Sequence, residues 1–115
     1  MLLVCYKRCG SCNKAEKKLK EMGIEYEYRH IDQDKPSYEE IKEWHEKSGL
    51  DIKKLFNTSG KIYRDMNLKD KLKEMDLEGM YQLLASEGML VKRPVIVMED
   101  RVMIGNQARE YIDSL

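Results

Sequence analysis

The sequence has no excess of charge of either sign: 21 Lys and Arg face 21 Asp and Glu. A protein that holds nucleic acid non-specifically needs a basic surface. Direct binding of DNA or RNA is therefore not expected, while binding to a protein that itself holds DNA stays open. Long apolar runs are also missing. No stretch approaches the about 20 apolar residues that cross a bilayer, so no membrane association is expected. The apolar run at residues 1–6 has no basic segment before it and is too short for a signal peptide. Cysteine is scarce as well, and three cysteines are too few for a disulfide scaffold. The expected compartment is the cytoplasm. A structural zinc site closes a full tetrahedron of ligands. There is no second Cys-x-x-Cys, and His30 and His45 lack any ligand spacing, so no metal site is expected.

What the chain does have is Cys9-Gly10-Ser11-Cys12, placed between the apolar run at residues 1–6 and a helical pattern at residues 13–22. Where a strand turns into a helix, the first backbone N–H groups lack partners and, with the helix dipole, favour a neighbouring negative charge. A thiol at such a junction is acidified, to a pKa of roughly 3.5–7.5 in favourable settings. Lys7, Arg8 and Lys14 add positive charge nearby. Cys9, at the helix mouth, is expected to be the exposed nucleophile, and Cys12, in the first turn, the resolving thiol. In a reducing compartment a Cys-x-x-Cys beside a β-α-β pattern is more often catalytic or sensing than structural. The competing readings are a pair of inert thiols or half of a metal site.

The rest of the chain reads as a β-α-β unit, a helical insert and a β-β-α unit. The apolar run at residues 1–6 is a buried strand, with Cys5 a small buried hydrophobe without a role. Gly23 stops the first helix. Residues 24–31 alternate, with Ile24, Tyr26, Tyr28 and His30 on one face, as in a strand with one side inward. Two strands joined through a helix should be parallel. Ser37 and Glu40 form a capping-box pattern that opens a helix ending at Gly49, with Tyr38, Ile41 and Trp44 as its apolar stripe and His45 as a packing residue. Helical pieces continue to residue 87, so the insert spans about residues 37–87 and shows no strand-like period. Residues 95–98 and 101–104 form a hairpin about Glu99-Asp100, and residues 107–115 a closing helix. The expected fold is α/β, a thioredoxin-like mixed sheet in a single domain over residues 1–115. Pro94, just before the third strand, is expected to be cis and to lie against the active thiol. X-Pro is the bond where cis costs only about 0.5–1 kcal/mol.

With the cysteine loop, Gly23-Ile24, residues 55–60 (LFNTSG), residues 90–94 (LVKRP) and Ile104-Gly105 in view, the chain resembles the arsenate reductase/Spx family of thioredoxin-like proteins over nearly its whole length. In arsenate reductases of this kind, the resemblance implies, the cysteine matching Cys9 attacks the arsenic of the oxyanion. Glutathione and glutaredoxin complete the cycle. Arg93 matches one of the arginines that hold the oxyanion. Asn57 and Gly105 stand where the others fall, and Asn13 stands where an arginine commonly follows the cysteine loop. A multiply charged oxyanion is best held by several charge-assisted contacts, so these departures argue against arsenate as the substrate.

In Spx-type regulators, the resemblance further implies, the pair matching Cys9 and Cys12 is a disulfide switch. Such proteins bind the carboxy-terminal domain of the RNA polymerase α subunit, and their interaction surface lies around the glycine matching Gly49. The expectation is thus a thiol–disulfide redox protein with Cys9 as nucleophile, Cys12 as resolving thiol and Arg93 stabilising the thiolate. Asn13, Asn57 and Pro94 are expected to shape the pocket. No bound cofactor is expected. Glutathione or glutaredoxin is the candidate reductant and a small thiol or redox protein the candidate partner. The alternative is a redox-sensing regulator that contacts the RNA polymerase α subunit.

Overall fold

The computed structural model describes residues 1–115. The ordered elements are β1 (Leu2–Cys5), α1 (Gly10–Glu21), β2 (Glu27–His30), α2 (Tyr38–Ser48), α3 (Lys61–Asp65), α4 (Leu68–Lys71), α5 (Leu77–Ser86), β3 (Val95–Val97), β4 (Val102–Ile104) and α6 (Asn106–Asp113). The sheet order is β2-β1-β3-β4. β1 and β2 are parallel, with Leu3 opposite Tyr28 and Cys5 opposite His30. β1 pairs antiparallel with β3, and β3 with β4. This is the thioredoxin-like mixed sheet expected from the sequence.

Successive side chains of a strand point to opposite faces, and β1 shows why its residues are all apolar: both faces are covered. Leu3 and Cys5 pack in a cluster with Cys12, Ala15 and Leu19 of α1, Ile96, Met103, and Ala108 and Ile112 of α6. Val4 points the other way, into the larger cluster of Ile41, Trp44, Leu55, Phe56, Tyr81 and Leu84 under the insert. The alternation in β1 therefore sorts Cys5 onto the same side as the cysteine loop.

Local signals end the helices as the residues demand. Gly23, at φ 69°, closes α1. Its N–H donates to the carbonyl of Lys20 and the N–H of Ile24 to that of Leu19, the paired bonds of a Schellman end. Ser37 caps α2, its hydroxyl accepting from the N–H of Glu40 at 3.1 Å while the Glu40 carboxylate accepts from the N–H of Ser37 at 3.0 Å. The same carboxylate takes both guanidinium nitrogens of Arg29, at 2.6 and 3.0 Å, tying β2 to α2. His45 Nδ1 meets the Tyr81 hydroxyl at 2.5 Å, in keeping with a packing histidine.

Two details differ from the sequence expectation. The second strand is shorter than residues 24–31, because only Glu27–His30 finds ladder partners on β1. The insert is also not free of strand-like pairing. Phe56 and Val91 form an isolated antiparallel bridge, with Asn57 N–H donating to Leu90 at 2.7 Å and Lys92 N–H to Leu55 at 2.8 Å. This bridge anchors the chain leading into Arg93. Gly88 permits a close crossing just upstream, since a Cβ there would lie 2.1 Å from the carbonyl oxygen of Ile31.

Candidate functional site

β1 ends at Cys5, a short loop turns through Tyr6 and Lys7, and Cys9 takes the N-cap position of α1 with extended backbone and no side-chain capping bond. Its thiol is left free of a structural task. The loop is fixed by its own backbone: Cys9 N–H donates to the Tyr6 carbonyl and Asn13 N–H to that of Cys9, both at 3.0 Å. All three cysteines are free thiols. Cys9 is half-buried, whereas Cys5 and Cys12 are fully buried.

Cys5 and Cys12 share one apolar cluster, with Cys9 packed against it. Cys12 has hydrogen-bond partners in the Cys5 thiol, the backbone N–H of Tyr6 and the Cys9 thiol, and it feels the charge of Arg93. The Cys5 hydrogen bond contributes most, burial opposes it, and together these surroundings lower the Cys12 thiol to about 7. Its place in the first turn of α1 suits an anion, because the helix dipole favours negative charge there. Cys5 is pushed strongly the other way, first by its hydrogen bond to Cys12, then by burial and the neighbouring thiols. Of the two buried thiols, Cys12 is the one whose surroundings favour the thiolate.

The Arg93–Pro94 peptide bond is cis, and Pro94 is buried, its carbonyl accepting from Gly105 N–H at 2.9 Å. Arg93 forms no ion pair. One of its terminal nitrogens makes a long 3.4 Å contact to the Met89 carbonyl and lies 3.9 Å from the Met89 sulfur. Its Nε is buried without a partner, and its guanidinium lies 5.5 Å from the centre of the Tyr6 ring. A surface arginine pairing with a carboxylate is not what is seen. This cation is left electrostatically available, and the sulfur that registers it is Cys12.

The remaining pocket positions are occupied locally. The Asn13 side-chain amide donates to the Lys7 carbonyl at 3.1 Å and staples the cysteine loop. The Asn57 side chain accepts from the Ser59 hydroxyl at 3.3 Å and lies against Gly60, within its own turn. Gly105 sits at φ 62° as the N-cap of α6, a backbone region that disfavours any side chain with a Cβ. Cys9 packs against the cluster that holds Cys12, the Arg93 charge favours the Cys12 thiolate, and Asn13 and Asn57 hold loops.

Three contributors were not picked out from the sequence. Cys5 abuts Cys12. Tyr6 lies against Arg93. Glu16, one turn after Cys12 on α1, is a buried carboxylate bound by Lys7 at 3.0 Å and the Tyr26 hydroxyl at 2.6 Å. The first and third carry a signal in the sequence: strand alternation puts Cys5 on the α1 face, and helical spacing puts Glu16 below Cys12. A surface groove of about 420 Å³ between α1 and α6 is lined by Ser11, Lys14 and Arg109 but by none of the thiols. No group of His, Cys, Asp and Glu side chains is arranged to hold a metal ion. No helix is long and apolar enough to cross a membrane.

Comparison with known proteins agrees with this geometry. The ArsC family model matches residues 5–113. An uncharacterised protein, YusI of Bacillus subtilis, is 51% identical over 106 residues, covering 92% of this chain and 90% of YusI. The global transcriptional regulator Spx 1 of Bacillus cereus is 29% identical over 97 residues, covering 84% of this chain and 72% of that protein. Among solved structures, a crystal structure of an ArsC-family-related protein from Bacteroides fragilis superposes with a TM-score of 0.90 at 45% identity, covering 97% of this chain and 94% of that one.

Proposed function

The chain belongs to the ArsC family, and from that premise we propose that it is a thiol–disulfide redox protein working through Cys9 and Cys12. The half-buried Cys9 attacks one sulfur of a substrate disulfide. A bond forms between Cys9 and that sulfur, and the other substrate sulfur leaves as a thiolate. Cys12 then attacks Cys9, forming the Cys9–Cys12 disulfide and releasing the second substrate thiolate. The substrate has been reduced by two electrons and the protein oxidised by two. An external thiol, glutathione or glutaredoxin, reverses the protein's half: one thiol attacks Cys9 and expels Cys12, and a second attacks the resulting mixed disulfide, releasing Cys9 and leaving the reductant as its disulfide. A leaving thiol of low pKa departs faster, which suits an acidified Cys12 to that place. The cytoplasm, where thiols are kept reduced, is the compartment in which such a cycle runs.

The observation that carries this reading is the Arg93 guanidinium, without an ion-pair partner and adjoining the cis Pro94, whose charge favours the Cys12 thiolate. A lone fixed cation compensates one thiolate, or one substrate carboxylate. It does not replace the set of arginines suited to a multiply charged oxyanion, and Asn13 and Asn57 are spent on local bonds. Arsenate is therefore not the substrate we propose. Purified protein should turn over a small mixed disulfide with glutathione as reductant, and Cys9→Ser should lose that turnover. Wild-type protein inert towards every disulfide tried would count against it.

A second reading, a redox-sensing regulator that docks on the RNA polymerase α subunit, is favoured by the likeness to Spx 1 and by the exposed end of α2 at Gly49, where a Cβ would meet open space. Here the Cys9–Cys12 disulfide alters a docking face rather than serving turnover. A pull-down with the carboxy-terminal domain of the α subunit should then retain the protein in one redox state more than in the other. No complex in either state rejects this reading.

A further inference from the structure

The groove between α1 and α6 holds about 420 Å³, within the range of small-molecule sites. It begins at the cysteine loop, because Ser11, inside the Cys-x-x-Cys, lines it. Its apolar part is Ala15 and Ile112, two buried members of the cluster against which Cys9 packs. Its polar part is mainly cationic: Lys14, Lys17 and Lys18 come from α1 and Arg109 from α6, against the carboxylates of Glu21 and Asp113. None of these four cations is in an ion pair. The excess contrasts with a chain whose charges cancel overall. Arg109 is held in place. One terminal nitrogen donates to the Ser11 hydroxyl at 3.2 Å and the other to the Asn106 side chain. A guanidinium carries five N–H donors, so most of them stay unclaimed by the fold. The charges are also graded along the groove. An α-helix rises about 1.5 Å per residue, so Lys14 stands about one turn from Ser11, whereas Glu21 stands about 15 Å from it along the axis. Asp113 is likewise one turn beyond Arg109. The cationic end is the end at the cysteine loop.

We propose that this groove is a subsite for the carboxylate of a small disulfide substrate, held there while Cys9 attacks the disulfide. The proposal rests on the thiol–disulfide reading and narrows its substrate to acidic disulfides. Arg109 and Lys14 meet the carboxylate beside Ser11, and a guanidinium can take a carboxylate through two parallel N–H···O bonds. Lys17 and Lys18 add positive potential that draws an anion in. Glu21 and Asp113 repel negative charge at the far end, which turns the acidic group towards the cysteine loop. Ala15 and Ile112 cover the methylenes between carboxylate and sulfur. Arg93 does not line the groove and is left to the thiolate.

Two probes of similar size test it: dithiodipropionate, with a carboxylate on each half, and hydroxyethyl disulfide, which is neutral. With Cys9→Ser protein, which lacks the attacking thiol, dithiodipropionate should shift the backbone amide NMR signals of Ser11, Lys14 and Arg109, and hydroxyethyl disulfide should not. With Cys9 in place, the readout is the ratio of kcat/KM for dithiodipropionate to that for hydroxyethyl disulfide. Wild type should show a ratio of about ten at low salt, falling as salt screens the charges. Arg109→Gln should lower the ratio about tenfold, as for a lost hydrogen bond to a charged group, through a higher KM for dithiodipropionate. Arg109→Lys, which keeps the charge without the paired bonds, should lie between. Lys14→Gln should lower the ratio about threefold. Lys14 is exposed, so this variant serves should Arg109→Gln disturb the cysteine loop through Ser11. A wild-type ratio near one, a ratio unmoved by Arg109→Gln, or amide shifts that are absent or the same for both probes overturns the proposal. Turnover of neither probe is the failure of the exchange reading, and the amide shifts then decide the groove by themselves.

Discussion

Replacing Arg93 with methionine separates a functional cation from a structural one. Methionine keeps an unbranched apolar stem against Tyr6 and Met89 and removes the charge. An opposite charge close to an ionisable group shifts its pKa by about 1–3 units. For Cys12 the Arg93 contribution ranks behind the hydrogen bonds from Cys5, Tyr6 and Cys9. The low end applies, so Arg93→Met should raise the Cys12 midpoint by roughly 1 pH unit, about 1.4 kcal/mol of thiolate stabilisation. Folding stability should behave differently. Arg93 has no carboxylate partner and a buried Nε without a hydrogen bond. Removing an unsatisfied buried donor relieves a cost of about 1–3 kcal/mol, which offsets the loss of stem packing. Urea unfolding of the reduced variant should therefore give a stability equal to wild type or higher. Arg93→Lys, which keeps the charge on a more compact and more strongly hydrated head, should fall between wild type and Arg93→Met in the thiolate titration. An Arg93→Met protein destabilised by more than about 2 kcal/mol, with an unmoved Cys12 midpoint, would make Arg93 a structural residue and remove the main support for the site.

The other expectations follow from the same contacts. Reduced protein should be most stable near the ordinary thiol pKa. Cys12 is lowered to about 7, so between that pH and about 8.5 the unfolded chain holds one more proton than the native one and stability rises, by about 2 kcal/mol. Cys5 is raised, so above about 8.5 the native chain holds the extra proton and stability falls again. Thermal melts of wild type and Cys12→Ser across this range check the rise, which the serine variant should lose. Gly88→Ala should cost about 2–4 kcal/mol, because its Cβ would meet the Ile31 carbonyl at 2.1 Å, and urea midpoints read the loss. Burial pushes the Glu16 carboxyl up, but the Tyr26 hydroxyl and Lys7 outweigh it and hold it below the usual range. Its stabilisation is therefore present above the ordinary carboxylate pKa and lost as pH falls through the depressed value. Glu16→Gln should destabilise by about 1–2 kcal/mol at neutral pH and flatten that acid dependence.

Much of the fold was legible because its signals are local. The Schellman end at Gly23, the Ser37–Glu40 box and the hairpin of β3 and β4 each follow from a few neighbouring residues. The cis Arg93–Pro94 bond followed from the likeness to a thioredoxin-like fold, in which a proline before the third strand is expected to be cis. What stayed hidden depends on contacts between distant segments. The strand at Glu27–His30 is cut short by where β1 offers partners, not by its own alternation. The Phe56–Val91 bridge joins the middle of the insert to the segment after it, and the two carry no shared pattern. Asn13 and Asn57 look like pocket donors in the sequence, but amide side chains readily bond their own loops, and here they do. Cys5 was set aside because a strand cysteine is usually inert packing. The alternation of Leu3, Val4 and Cys5 already placed it on the α1 side, and only the packing of distant segments shows that it shares a cluster with Cys12.

The most direct trial of the central claim is to trap the exchange halfway. Cys12→Ser protein, incubated with a small disulfide, quenched and digested, should carry one half of that disulfide on Cys9, as read by mass spectrometry, and wild-type protein should carry a Cys9–Cys12 bond instead. An adduct on Cys5, or no adduct on Cys9 while the wild type still turns over substrate, would contradict the assignment.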